Sequence, residues 1–133
     1  MATASEASLK LLETMSIPSM MIDIEEFSHG HHRAVHPDST VILLCSEDVG
    51  KEETKKTFAY LKTICDNVLI IDGSADPIKD DHCIPVPYLP YTASALPLVY
   101  VIQILSVALP ELLGKDPNYP YHQEYTELIQ TRV

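Results

Sequence analysis

The sequence of 133 residues predicts a three-layer αβα fold, in which a mostly parallel sheet lies between helices. Two apolar runs, Thr40 to Cys45 and Asn67 to Ile71, are typical of parallel strands that are buried on both faces. Segments with helical periodicity lie before, between and after these runs, and such alternation favours a parallel sheet. Ligands bind at the carboxyl ends of the strands in sheets of this kind.

The first element is an amphipathic helix from Ala2 to Met15, because its apolar residues recur at helical spacing without Gly or Pro. Its polar face carries Glu6, Lys10 and Glu13, since offsets of four and seven residues return to nearly the same side of a helix. Ile17-Pro18 ends this helix, because proline disfavours helical geometry in the residue before it.

The middle of the chain alternates between strands and helices. Met20 to Ile24 is expected to form a short strand, followed by a polar, histidine-rich loop from Glu25 to His36. Gly50 to Cys65 has charged residues on one side and apolar residues on the other, which predicts a surface helix over the sheet. Cys83 to Leu89 contains two prolines and is expected to be a short strand near an edge or an end.

A long helix is predicted from about Ala93 to Leu113, and Gly114 and Pro117 stop it. No charged residue occurs from Leu89 through Pro110, a length that approaches a membrane span. The run contains prolines and lacks flanking basic residues and an aromatic belt on both sides. A buried helix is therefore the preferred interpretation, and no membrane partner is expected.

Charge and cysteine content restrict the function and the compartment. The net charge of −10 repels polyanions, so nucleic acid is not expected as a partner, although a small anionic substrate stays possible. Cys45, Cys65 and Cys83 are odd in number and widely spaced, which indicates reduced thiols in a cytoplasmic chain. The first ten residues have no apolar segment long enough for a signal peptide.

Three segments carry motifs of one enzyme family in the same order along the chain. Glu6 to Glu13 reads E-x-x-L-K-L-x-E, and Glu25 to Gly30 reads E-x-x-x-H-G. The third segment, Gln103 to Pro120, has Q-x-L followed by G-x-D and a proline. Together they resemble the sugar isomerase (SIS) domain, particularly the isomerase domain of glucosamine-6-phosphate synthase and the fructosamine-6-phosphate deglycases.

The resemblance implies a SIS, flavodoxin-like fold of which residues 1–133 form the C-terminal portion. The family's first strands and its Ser/Thr-rich phosphate loop have no counterpart in the sequence, so we expect the chain to be part of a full domain. A sheet cut at this point would leave apolar faces and an open edge exposed. We therefore expect it to associate, either as a homo-oligomer such as a dimer or with a complementary SIS half.

The resemblance also assigns roles to individual residues. Glu13 corresponds to the carboxylate that moves a proton between adjacent sugar carbons, and Lys10 can keep it ionised and meet developing negative charge. His29 corresponds to the ring-opening histidine, which in the synthase reaches the active site of the neighbouring subunit. Glu6 and Tyr125 are the candidate substrate-binding residues. The alternative for the helix is that its three charges form an ordinary exposed ion-pair stripe.

Two departures from the family pattern reduce the number of activities that we expect. Tyr125 stands where the synthase has a catalytic lysine, and His31 replaces the proline that follows H-G. These changes argue against glucosamine synthesis. They favour an aldose-ketose isomerase or a deglycase acting on a phosphorylated sugar or amino sugar, with no cofactor. The alternative is a phosphosugar-binding or regulatory SIS module without catalysis.

A zinc site is the remaining alternative for the histidine-rich loop, because imidazole and carboxylate ligands suit that ion. Its candidate ligands are His29, His31, His32, His36 and Asp38. Their spacing fits no common structural zinc site, and no cysteine lies close to them in sequence. We therefore expect no metal, and one functional histidine among several incidental ones.

Overall fold

A computed structural model describes residues 2–129, apart from the side chains of Tyr91 and Thr92. It confirms the predicted αβα fold: three parallel strands in the order β1-β2-β3 have helices on both faces. The strands are β1 (Thr40–Cys45), β2 (Asn67–Asp72) and β3 (Cys83–Pro85). The α-helices are α1 (Ala2–Met15), α2 (Ile24–His29), α3 (Lys51–Leu61), α4 (Ala95–Leu112) and α5 (Gln123–Ile129), with 3-10 turns at His31–Ala34 and Tyr91–Ser94.

The two continuous apolar runs form the paired centre of the sheet, as predicted. Each residue of β1 lies opposite one of β2, from the pair Thr40 and Asn67 to the pair Cys45 and Asp72. β3 pairs with β2 over three residues only and ends at Pro85, because proline has no N–H to continue a ladder. β1 lies at the other edge of the sheet, and no strand of residues 2–129 covers its second side.

Apolar side chains pack on both faces of this sheet. On one face, Phe58 and Leu61 of α3 pack with Ile70. On the other, Leu98 and Ile102 of α4 pack with strand side chains and with α1. Burial of one apolar side chain of this size stabilises the folded state by about 1.5–3 kcal/mol. Two independent core clusters therefore hold the three layers together.

The prediction of a strand from Met20 to Ile24 is wrong. Residues 17–23 form no strand, and α2 begins at Ile24 because Asp23 caps it: the Asp23 side chain accepts a hydrogen bond from the Glu25 N–H at 3.1 Å. The segment predicted as a polar loop from Glu25 to His36 therefore consists mainly of α2 and the 3-10 turn that follows it.

The long C-terminal helix is confirmed, but it is buried on one face only. Its buried residues are Leu98, Ile102, Ser106 and Pro110, whereas Tyr100 on the opposite side is 65% exposed. The chain beyond it turns at Gly114, whose positive φ of 69° suits glycine. By length and composition alone, the 18 residues of α4, with a mean hydropathy of 1.8, could also cross a membrane.

Candidate functional site

The polar face predicted on α1 is present and lies in solvent. The Lys10 ammonium is 3.0 Å from a Glu13 carboxylate oxygen and 4.0 Å from Glu6. Its hydrogen bond and charge interaction with Glu13 raise the pKa of Lys10 above its usual value. The helix is anchored through buried Ala7 and through Lys115, which donates to the Met15 carbonyl oxygen at 2.6 Å. The carboxylate is thus held by its own helix and is open to a ligand.

His29 lies at the C-terminal end of α2 and is exposed. α2 is fixed to α3, because Ser28 hydrogen-bonds Glu53 and because Ile24 packs beside Gly50, where an added Cβ would come within 3.3 Å of its side chain. Within residues 2–129 the His29 ring makes no hydrogen bond, ion pair or ring contact. It is therefore presented outward on a fixed element.

The next two histidines are tied to the backbone of α2. His31 Nδ1 lies 3.0 Å from the Glu26 carbonyl oxygen, and His32 Nδ1 lies 3.1 Å from that of Phe27. A carbonyl oxygen only accepts, so Nδ1 carries the proton in both rings and Nε2 is left free. Among the described residues, no three His, Cys, Asp or Glu side chains are grouped so that they could hold a metal ion.

Tyr125 lies on α5, a short helix that the sequence interpretation did not include. Its side chain is 61% exposed, and α5 has no buried residue. The structure thus brings Glu6, Lys10 and Glu13 together on one helix. It places His29 and Tyr125 on two other elements, and no hydrogen bond or ion pair joins either side chain to Glu13 within the described part of the chain. The catalytic and binding roles of these residues stay predictions.

A second polar region lies at the carboxyl ends of β1 and β2, and its centre is Asp72. The Asp72 side chain is fully buried and accepts hydrogen bonds from the backbone N–H groups of Ser74, at 2.9 Å, and Ile78, at 3.0 Å. The Lys55 ammonium lies 3.7 Å away. Burial alone would raise the pKa of Asp72, but these hydrogen bonds and the charge of Lys55 hold it below its usual value.

The opposite effect is seen at Cys45, the residue paired with Asp72 on β1. Burial and the adjacent carboxylate raise the pKa of this thiol to about 12. A thiol with so high a pKa stays protonated at neutral pH and is a poor nucleophile. Cys45 is therefore a core residue, and its side chain is 1% exposed.

A layer of ion pairs covers Asp72 and ties two loops together. Lys51 lies 2.7 Å from Glu47, which follows β1, and 3.2 Å from Asp76, which follows β2. Glu47 also accepts a hydrogen bond from the Ala75 N–H at 2.8 Å. No sequence pattern predicts this network, although Glu47 stands directly after a predicted strand, at the end where parallel sheets bind their ligands.

The arrangement of a parallel sheet with polar loops at its carboxyl end and helices on both faces defines the chain as an α/β protein with the fold of a phosphosugar isomerase. One similar structure is a provisionally named phosphosugar isomerase from Clostridium difficile 630. It superimposes with a TM-score of 0.78 at 29% identity over 98% of this chain and 36% of its own length.

A second similar structure is a provisionally named sugar-binding protein from Salmonella typhimurium LT2. It has a TM-score of 0.65 and 21% identity over 79% of this chain and 32% of its own length. The chain thus spans about a third of the length of both structures. No protein-family model matches the chain, and no curated protein matches it either.

Proposed function

We propose that this chain is the C-terminal portion of a SIS domain that acts on a phosphorylated sugar or amino sugar, as an aldose-ketose isomerase or as a fructosamine-6-phosphate deglycase. The observation that carries the proposal is the similarity of almost the whole chain, 98% of it, to a structure named as a phosphosugar isomerase. The motif resemblance across α1, α2 and α4 points to the same class of protein.

In the proposed reaction Glu13 removes a proton from one sugar carbon and returns it to the next. The Lys10 ammonium, 3.0 Å from this carboxylate, provides positive charge near a developing enediolate. Glu6, on the same face of α1, and Tyr125 would contact substrate hydroxyl groups. The open position of Glu13 supports this role, because a base must reach the substrate carbon.

His29 would open the sugar ring, since an imidazole can both donate and accept a proton. Its separation from Glu13 on a different element fits a site that is shared between subunits, in which His29 serves the sugar bound to a neighbouring copy. We therefore propose a homo-oligomer, with a dimer as the simplest form, in the cytoplasm.

The uncovered edge of β1 supports the proposal that further strands complete the sheet. β1 has the branched, apolar composition of a central strand, yet it lies at an edge among the described residues. In the proposed full domain a parallel strand covers this edge and brings the loop that holds the sugar phosphate. That strand belongs to the remainder of the same protein or to a second polypeptide.

The assignment of Glu13 is tested by proton exchange. The chain is co-expressed with the complementary SIS half, and incorporation of deuterium from D2O into fructose 6-phosphate and cleavage of fructosamine 6-phosphate are followed for wild type and Glu13→Gln. We expect turnover to fall by at least about a hundredfold, the usual contribution of a general base.

Glu52→Gln is the matched control, because Glu52 is an exposed glutamate on α3, across the sheet from α1. Its turnover should equal that of wild type. Unchanged exchange in Glu13→Gln would remove Glu13 from the proposed mechanism.

A phosphosugar-binding module without catalysis is the second candidate. It is favoured by Tyr125 in the place of the family's lysine, because a phenol carries no fixed positive charge. Saturable binding of fructose 6-phosphate by the complete assembly, with no deuterium incorporation, would select this function over the enzymatic one.

A further inference from the structure

The segment between α2 and β1 concentrates positive and imidazole side chains in an otherwise acidic chain. Four of the six histidines and one of the two arginines fall within residues 29–36, whereas the whole chain has a net charge of −10. No Asp or Glu occurs from Phe27 to Pro37. This segment thus carries the positive charge of Arg33 without a carboxylate of its own, which favours an anion beside that side chain.

These side chains line a shallow pocket on the surface. The ring of His31 is fixed there by its Nδ1 bond to Glu26, so its free Nε2 has a defined direction. Gly30 leaves room beside the rings, because an added Cβ would meet no atom within 4 Å. The pocket is lined by Glu26, His29, Gly30, His31, Arg33 and Ala34.

Arg33 is one of the described cations that have no acceptor. Lys10, Lys51, Lys55 and Lys62 each lie within 4.0 Å of a carboxylate. The guanidinium of Arg33 makes no ion pair or side-chain hydrogen bond within residues 2–129. Its planar fork of N–H donors matches the geometry of a carboxylate or a phosphate.

We propose that this pocket binds the anionic group of a sugar derivative, either a phosphate or a carboxylate, with Arg33 as the main contact. The His31 ring, which lines the same pocket, adds a second polar contact. The Glu26 carboxylate in the same pocket would repel a bare anion but accept a hydrogen bond from a neighbouring hydroxyl group, so an anion attached to a hydroxylated chain fits best. The choice of a sugar as the ligand rests on the proposed function; the anion site itself does not.

The test uses the full chain and three matched probes: glucose 6-phosphate, glucuronate and uncharged glucose, titrated at constant ionic strength. Binding is followed by NMR through the histidine ring signals and the backbone signals of residues 29–34. We expect saturable shifts of these signals with one or both anions and none with glucose. Arg33→Gln should weaken binding about ten- to a hundredfold, because a charge-assisted contact is lost.

Two further variants test whether the Arg33 guanidinium itself, and not positive charge anywhere on the surface, binds the anion. Arg33→Lys keeps the charge but loses the fork, so it should bind more weakly than wild type and more tightly than Arg33→Gln. Lys79→Gln removes an exposed positive charge elsewhere and should bind as wild type does. Phosphate-only binding would identify a phosphosugar site, and glucuronate-only binding a sugar-acid site.

The proposal is overturned if neither anion shifts the signals of residues 29–34, if Arg33→Gln binds as tightly as wild type, or if Lys79→Gln loses as much affinity. Equal shifts with uncharged glucose would also overturn it. Binding is measured here without turnover, so anion binding through Arg33 in a complete assembly that shows no proton exchange would refute the proposed reaction and leave the site in place.

Discussion

On α1, Lys10 and Glu13 meet in solvent, whereas at the carboxyl end of the sheet the Asp72 carboxylate is enclosed by backbone N–H groups and Lys55. Both regions contain a lysine-carboxylate ion pair, but the surroundings of the two pairs differ. The ion pair on α1 is accessible to a ligand, but it contributes little to stability because water screens the two charges. The second region buries its carboxylate and holds it with two backbone N–H groups and an ammonium. Access and stability are therefore assigned to different parts of the molecule.

The largest effect is expected where the buried carboxylate is removed. Lys55 keeps Asp76 as a partner at 3.3 Å in Asp72→Asn, but the amide NH2 then faces a backbone N–H that donates to the native carboxylate. We therefore expect the free energy of unfolding to fall by about 1.5–3 kcal/mol, the cost of losing a buried hydrogen bond to a charged group. Urea denaturation followed by circular dichroism measures the change. Asp81→Asn, at an exposed aspartate in the loop before β3, is the control and should change little. A loss below about 1 kcal/mol in Asp72→Asn would mean that the network is not a stabilising device.

An intermediate effect is expected from acid. The pKa of Asp72 is lower in the folded chain than its usual 3.8, so the unfolded state binds more protons as the pH falls. The stabilisation is thus complete above pH values near 4 and is lost as the pH falls further, through the folded pKa. Urea midpoints measured from pH 6 down to pH 2 should decline more steeply for wild type than for Asp72→Asn. Parallel curves would contradict this account of the low pKa.

The smallest effect on stability is expected on α1. Lys10→Gln removes an exposed ion pair, which typically contributes about 0.2–1 kcal/mol, so the unfolding free energy should hardly change. Turnover of the complete assembly should nevertheless fall, because the proposed base loses its positive neighbour. Paired measurements of urea midpoint and deuterium incorporation check both parts. A large loss of stability with normal turnover would reverse the contrast between the two regions.

The sequence predicts the sheet well because both central strands are continuous apolar runs, and their parallel pairing follows from the alternation with helices. It fails from Met20 to Ile24, where the apolar residues suggest a strand but the Asp23 cap starts a helix instead. It also fails to show that α4 is exposed on one side. That helix is apolar on both sides, so its composition does not reveal which face packs.

The polar groups of the candidate site also differ in how far the sequence predicts them. The stripe on α1 is visible in the sequence, because helical periodicity alone brings Glu6, Lys10 and Glu13 together. The Asp72 network is harder to predict, because Asp72-Gly73-Ser74 reads as ordinary turn chemistry and the ammonium that faces the carboxylate comes from Lys55 on α3. The pairing of Lys55 with Asp72 exists only when α3 packs over β2, and no local pattern encodes that contact.

Because no described strand covers the second side of β1, it matters for folding whether the strand that would pair there is translated before β1 or after it. A strand that leaves the ribosome before its neighbour exposes a row of backbone donors and acceptors, which invites pairing with any other extended chain. If the strand that we propose to complete the sheet is encoded upstream, it has already emerged when β1 appears, and the edge is covered at once. If it belongs to a separate polypeptide, the two must be made near each other and at matched rates, or chaperones must shield β1 in the interval.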